Sequence, residues 1–181
     1  MLPLTLSLHA QNLVEIHNIT EHKPVKKKDF EGHEGYISSL KFLDDGAKLM
    51  SGSGDGLVKT WDMTKMCLIN TWTGHEQDVS GVAMCNEDPN MFATSSTDKS
   101  CRVWDLRQPY AVRKFACKYS ANCIAMMPNA RGIIVGCDNA SWEFYDVGSN
   151  TQVWRRPPPT ARCPVAGLTP GSSLRGAATL P

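Results

Sequence analysis

Histidine, serine and aspartate, three side-chain types that together can run nucleophilic hydrolysis, stand within one stretch at His33, Ser51 and Asp55. In a hydrolase the imidazole takes the hydroxyl proton and the carboxylate orients the imidazole. Here the set is copied. His75, Thr94 and Asp98 follow at matching spacing, with Ser53 and Ser96 as alternative hydroxyls on the same strand faces. Each copy ends in a tryptophan, Trp61 or Trp104. An indole N–H can only donate, so a chain can run from indole through hydroxyl and imidazole to carboxylate. Such a buried network, present twice, fits a structural tie better than an active site, since full pairing helps to specify one arrangement. No G-x-S-x-G elbow is present, and the glycine-rich residues 51–56 lack the Gly-Lys-Ser/Thr of a phosphate loop. No catalytic residue, metal ligand or cofactor is expected.

The seven cysteines, Cys67, Cys85, Cys101, Cys117, Cys123, Cys137 and Cys163, are odd in number and form no C-x-x-C pair. Most stand in apolar, strand-like runs, where a thiol behaves as a small buried hydrophobe. Neither a disulfide framework nor a zinc site is expected, and a reducing compartment fits.

The elements that must position these residues repeat as well. Gly32-His33 recurs as Gly74-His75, 42 positions on; Trp61-Asp62 recurs as Trp104-Asp105 and, altered, as Tyr145-Asp146. Between these landmarks lie short apolar runs separated by turns rich in Gly, Asp, Asn and Pro, which reads as strand, turn, strand, turn, strand. The stretch before each Gly-His supplies a fourth strand. Four short strands in about 42 residues ending in Trp-Asp mark a WD-repeat blade, and the chain resembles the WD-repeat family. The fold class expected is all-β, an incomplete propeller of about three blades plus a flanking unit. Residues 1–12 are an atypical start, 13–31 complete a preceding blade, and 32–73, 74–116 and 117–154 are repeats. The third lacks Gly-His and carries Asp138 without a histidine, so its network cannot close in the usual way. Residues 155–181 hold six prolines, show no strand period and read as a disordered tail by composition. Lys26, Lys27 and Lys28 fall on an expected outer strand, where charge blocks unwanted pairing.

Narrower features point within the family. Gly35-Tyr36 just after Gly-His, the run from Lys41 through Phe42 to Asp45, and the run from Cys101 to Arg107 are similar to middle blades of heterotrimeric G-protein β subunits. The similarity spans roughly residues 12–154. It implies a non-catalytic transducer that binds a G-protein α subunit and effectors through one rim, carried here by Tyr36, Asp78 and Asn122, with Asn12 as a weaker candidate. Ser80 and Ser120 depart from that family's contact residues and would weaken the α interface. The γ-binding N-terminal helix and the outer blades have no counterpart in this sequence, so γ is the least supported partner. A truncated or spliced form, with apolar blade faces open at its ends, is the expectation. A generic WD-repeat scaffold is the alternative.

Composition agrees with a folded interaction module. The 181 residues are 41% hydrophobic and 20% charged, which argues against whole-chain disorder. No apolar run approaches 18 residues, so direct membrane insertion is not expected. The formal charge of +1 divides unevenly, with four arginines and no acid in residues 147–181. No basic cluster suits nucleic acid. The alternating Leu2, Leu4, Leu6 and Leu8 lack a basic leader and read as strand rather than signal peptide. A cytoplasmic location is expected, with the cytoplasmic face of the plasma membrane reached through partners.

Overall fold

The structure is a computed structural model that describes residues 4–9, 13–18, 25–30, 32–43 and 46–156, with side chains described from residue 32 to 155 within those ranges. Asn12 and residues 157–181 of the expected tail lie outside the described residues. Strands account for all the regular elements among the described residues. β1 (Leu4–His9), β2 (Leu13–Asn18) and β3 (Val25–Phe30) form a three-stranded antiparallel sheet with β3 at one edge. Lys26, Lys27 and Lys28 fall on that edge strand.

Three four-stranded antiparallel sheets follow, each in sequence order across its width. The first blade comprises β4 (Ile37–Leu43), β5 (Lys48–Ser53), β6 (Val58–Asp62) and β7 (Cys67–Trp72). The second comprises β8 (Val79–Met84), β9 (Met91–Ser96), β10 (Ser100–Asp105) and β11 (Ala111–Ala116). The third comprises β12 (Ala121–Met126), β13 (Gly132–Cys137), β14 (Trp142–Asp146) and β15 (Thr151–Arg156). The tight turns between second and third strands need a left-handed residue: Gly56 has φ 78°, and Lys99 and Ala140 fill the same place at 61° and 60°.

Two of the three core clusters among the described residues lie between blades, and the third, Ile37, Leu49 and Trp61, comes from the first blade alone. A lone sheet leaves its faces open to water, so each blade must be covered by its neighbours, and the second blade buries one face against the first and the other against the third. Met50 of the first blade packs with Val79, Val82, Phe92 and Trp104 of the second. Ala93, Cys101 and Val103 of the second pack with Ala121, Ile133, Val135 and Tyr145 of the third. Phe92 stacks on Trp104 at 5.9 Å and meets Trp72 edge-on at 5.3 Å. Burying one such large side chain stabilises the fold by about 1.5–3 kcal/mol.

Each innermost strand is kinked at the same place. The register between first and second strands slips at Ile37/Ser39, Val79/Gly81 and Ala121/Cys123, so Ser38, Ser80 and Asn122 are the bulged residues. Bulges re-aim a side chain, and here they turn two of the three toward the neighbouring blade. Ser38 Oγ donates to the Val79 carbonyl, and Ser80 Oγ donates to the Ala121 carbonyl.

Candidate interaction rim

Two histidine networks tie each Gly-His loop to its blade. Trp61 Nε1 donates to Ser51 Oγ at 2.9 Å, Ser51 Oγ lies 2.7 Å from His33 Nε2, and His33 Nδ1 lies 2.8 Å from Asp55 Oδ2. In the second blade Trp104 Nε1 reaches Thr94 Oγ1 at 2.9 Å, Thr94 Oγ1 lies 2.7 Å from His75 Nε2, and His75 Nδ1 lies 2.9 Å from Asp98 Oδ2. The hydroxyls used are therefore Ser51 and Thr94. Ser53 and Ser96 bond instead to the carbonyls of Gly35 and Gln77 in the loops.

The indole must donate and the carboxylate must accept, and with a neutral imidazole the hydroxyl gives its proton to Nε2 while Nδ1–H points at the aspartate. Burial, the largest cause, holds both histidines below their usual 6.5, against the opposing pull of Asp55 and Asp98. Burial pushes the Asp98 carboxyl up, but hydrogen bonds from Ser100 and His75 outweigh it and leave it at about 2. Asp55 is lowered in the same way by His33 and by the Leu57 and Glu34 amides. Ser51 and Thr94 are completely buried, out of reach of any substrate.

The third blade closes a different network, one that sequence reasoning missed. Tyr145 takes the tryptophan position, and its hydroxyl donates to Glu143, a fully buried carboxylate. Arg155 pairs with the same carboxylate through Nε at 2.7 Å and a terminal nitrogen at 2.5 Å. Asp138 lies outside this group; its backbone N–H donates to the Ser120 carbonyl. The usual chain does not form, but a tyrosine, glutamate and arginine replace it. The available signal was Glu143 on the inward alternation of β14, with Arg155 directly opposite it on β15.

At the rim, two of the three candidate contact residues meet. Tyr36 precedes β4, Asp78 precedes β8, and the Tyr36 hydroxyl donates to Asp78 Oδ2 at 2.7 Å. Tyr36 is 52% exposed. Its ring lies against Gly54, where an added Cβ would fall 2.5 Å from Tyr36 Cε1. The hydrogen bond to Asp78 holds the phenol above its usual range. Asn122 requires a correction. Sequence reading put it on the loop entering the innermost strand, with Tyr36 and Asp78, but it lies within β12 at the bulge. The register makes Ser120, not Asn122, the counterpart of Tyr36 and Asp78. Ser80 is drawn inward, 3.0 Å from Ser95 Oγ and bonded to the next blade.

The architecture and its repeated Gly-His, Asp and Trp-Asp network match a known family model. Residues 22–62 and 66–105 match the WD domain, G-beta repeat. The chain carries two WD repeats. The matched segments begin near β3 or β7 and end at the close of β6 or β10, so each sequence repeat spans the last strand of one sheet and three of the next. Curated relatives narrow the likeness. A Saccharomyces cerevisiae guanine nucleotide-binding protein subunit beta is 32% identical over 131 residues, 68% of this chain and 30% of that protein. The Zea mays protein of the same name is 31% identical over 137 residues, 70% of this chain and 36% of the relative. An Arabidopsis thaliana counterpart is 29% identical over 130 residues, 67% of this chain and 34% of its own. The chain thus spans about a third of the length of these relatives.

Proposed function

We propose that this WD-repeat chain is a non-catalytic scaffold of signal transduction that binds a G-protein α subunit and effectors through the Tyr36–Asp78 rim. One observation carries the reading: an aromatic side chain 52% exposed is held by a carboxylate from the neighbouring blade. Aromatic anchors are enriched at binding hot spots, and a ring fixed before contact loses less entropy on binding. The similarity to G-protein β subunits names the partner class. The buried hydroxyls of both histidine networks support a structural rather than catalytic use. A cytoplasmic setting follows from the same reading.

The test is biolayer interferometry of the full chain against a GDP-bound α subunit. Tyr36→Ala should weaken binding by about 30-fold, the scale of a hot-spot truncation near 2 kcal/mol. Asp78→Asn keeps a hydrogen-bond acceptor for the phenol and should cost less than Asp78→Ala. Because Tyr36 is exposed, the folded content by circular dichroism should stay unchanged. Binding indifferent to all three substitutions would remove this rim from the interface.

A further inference from the structure

The three blades place different charges at one register position. Lys59, Arg102 and Glu143 each stand two residues before Trp61, Trp104 or Tyr145, and their partners on the outer strands are Thr71, Lys114 and Arg155. Two of these positions are settled within the chain. Lys59 Nζ donates to the Gly32 carbonyl, and Glu143 pairs with Arg155. The second blade instead sets Arg102 directly opposite Lys114. Like charges directly across a ladder destabilise it, and no carboxylate among the described residues forms an ion pair with either.

The seam beside this pair holds unmet polar groups. Arg102 is partly buried, and its Nε is a buried donor with no partner. A Cβ added at the exposed Gly74 would fall 2.8 Å from Arg102 Nη1, so the guanidinium lies along the Gly74-His75 loop. Burial is the largest cause of the low His75 value, and the charges of Arg102 and Lys114 add to it, so both cations sit beside that loop. Thr60 Oγ1 is a second buried polar atom without a partner. Thr60 shares a face of β6 with Val58, and Arg102 shares a face of β10 with Trp104. Val58 and Trp104 belong to one core cluster, so both orphans lie on the two sheet faces that meet between the first and second blades. A buried polar group left without a partner is costly.

We propose that Arg102 and Lys114 form a binding site for a phosphate monoester, at the outer seam between the first and second blades. Charge selects this ligand. A phosphoryl group carries about −1.5 to −2 at pH 7 and three strong acceptor oxygens, which matches two cations, whereas a carboxylate would neutralise only one. The chemistry of the two side chains fits as well. A guanidinium offers a planar fork of donors that suits phosphate, and a lysine ammonium on its flexible stem closes over the same group as a point charge. Bound there, the ligand turns the opposition of Arg102 and Lys114 into a shared attraction, and it offers Arg102 the acceptor that Lys59 finds at Gly32. The seam lies between two four-stranded blades, and both cations come from neighbouring strands of the second. The inference does not rest on α-subunit binding through the Tyr36–Asp78 rim.

The experiment is differential scanning fluorimetry of the full 181-residue chain with inorganic phosphate, phosphoserine or serine, at fixed pH and ionic strength. Phosphate and phosphoserine should raise the melting midpoint saturably, and serine should not. Comparable midpoints of saturation assign the site to free phosphate, and tighter phosphoserine binding assigns it to a phosphorylated side chain. Arg102→Gln should abolish the response. Lys114→Gln should weaken it about ten-fold, the loss of one charge-assisted contact. Arg113→Gln, on the opposite face of the same strand, should leave it unchanged. Lys114→Glu keeps the test decisive should Arg102→Gln fail to fold. It sets a carboxylate opposite Arg102, so it should raise the midpoint of the ligand-free chain and remove the phosphate response. A parent chain with no saturable response overturns the proposal, as does a response that survives Lys114→Glu or falls equally with Arg113→Gln.

Discussion

Ser51 is the hinge of its network, because one hydroxyl both accepts from Trp61 and lies against His33 Nε2. Ser51→Ala leaves an indole N–H and an imidazole nitrogen buried without partners, each costing about 1–3 kcal/mol. A loss of about 2–4 kcal/mol is expected by urea denaturation, with Thr94→Val close behind, whereas Ser51→Thr should recover most of it. The histidines also make stability depend on pH. Their folded values lie below 6.5, so the unfolded chain binds more protons as acid is added, and stability falls as pH drops through 6.5. Asp55 and Asp98 are depressed as well, Asp98 to about 2 from 3.8, so their contribution is present above 3.8 and lost as pH falls toward 2. Melting midpoints measured from pH 7.5 to 3 should therefore decline in two stages, the first setting in as pH drops through 6.5 and the second below 3.8. A flat profile between pH 7 and 5 would contradict neutral buried imidazoles.

At the scale of elements, the three blades solve one problem with different residues. The turn between second and third strands takes Gly56 in the first blade but Lys99 in the second, both in the left-handed region. A side chain there is disfavoured by about 1–2 kcal/mol, partly offset by the greater entropy a glycine loses on folding. Lys99→Gly should raise stability by about 0.5–1 kcal/mol, read as a modest rise in melting midpoint; a fall would mean that the lysine side chain makes a stabilising contact of its own. The third blade shows the same economy in its network. Glu143, in the place of Lys59 and Arg102, supplies the acceptor for the Tyr145 hydroxyl and is neutralised by Arg155. Arg155 is about a third exposed while Glu143 is fully buried, so Arg155→Ala leaves a buried carboxylate without its cation and should unfold the third blade more readily than the equally terminal Val153→Ala. Hydrogen exchange along β12 to β15 reads that difference directly.

Over the whole molecule, stability comes from blade against blade, and function from where their loops arrive. The Tyr36–Asp78 bond joins two blades, so α-subunit binding that depends on both residues tests the blade packing along with the rim. Much of this was legible in the sequence. The spacing of Gly-His, Asp and Trp-Asp identified the WD repeat, and four strands per repeat followed, because hydrogen-bonded side chains must recur at fixed strand positions. The choice of Ser51 over Ser53 was not legible. Both share a strand face, and only the position of the Trp61 indole on the adjacent strand separates them. The place of Asn122 depended on a bulge, which shifts register by one residue without any marker in the residue types. The Glu143–Arg155 pair and the Tyr36–Asp78 bond likewise belonged to the tertiary structure. Sequence by itself determined what recurs within a blade, where contacts are local and periodic. Only the tertiary structure decided what meets between strands and between blades, because those encounters depend on register, bulges and packing across residues 12 to 43 positions apart.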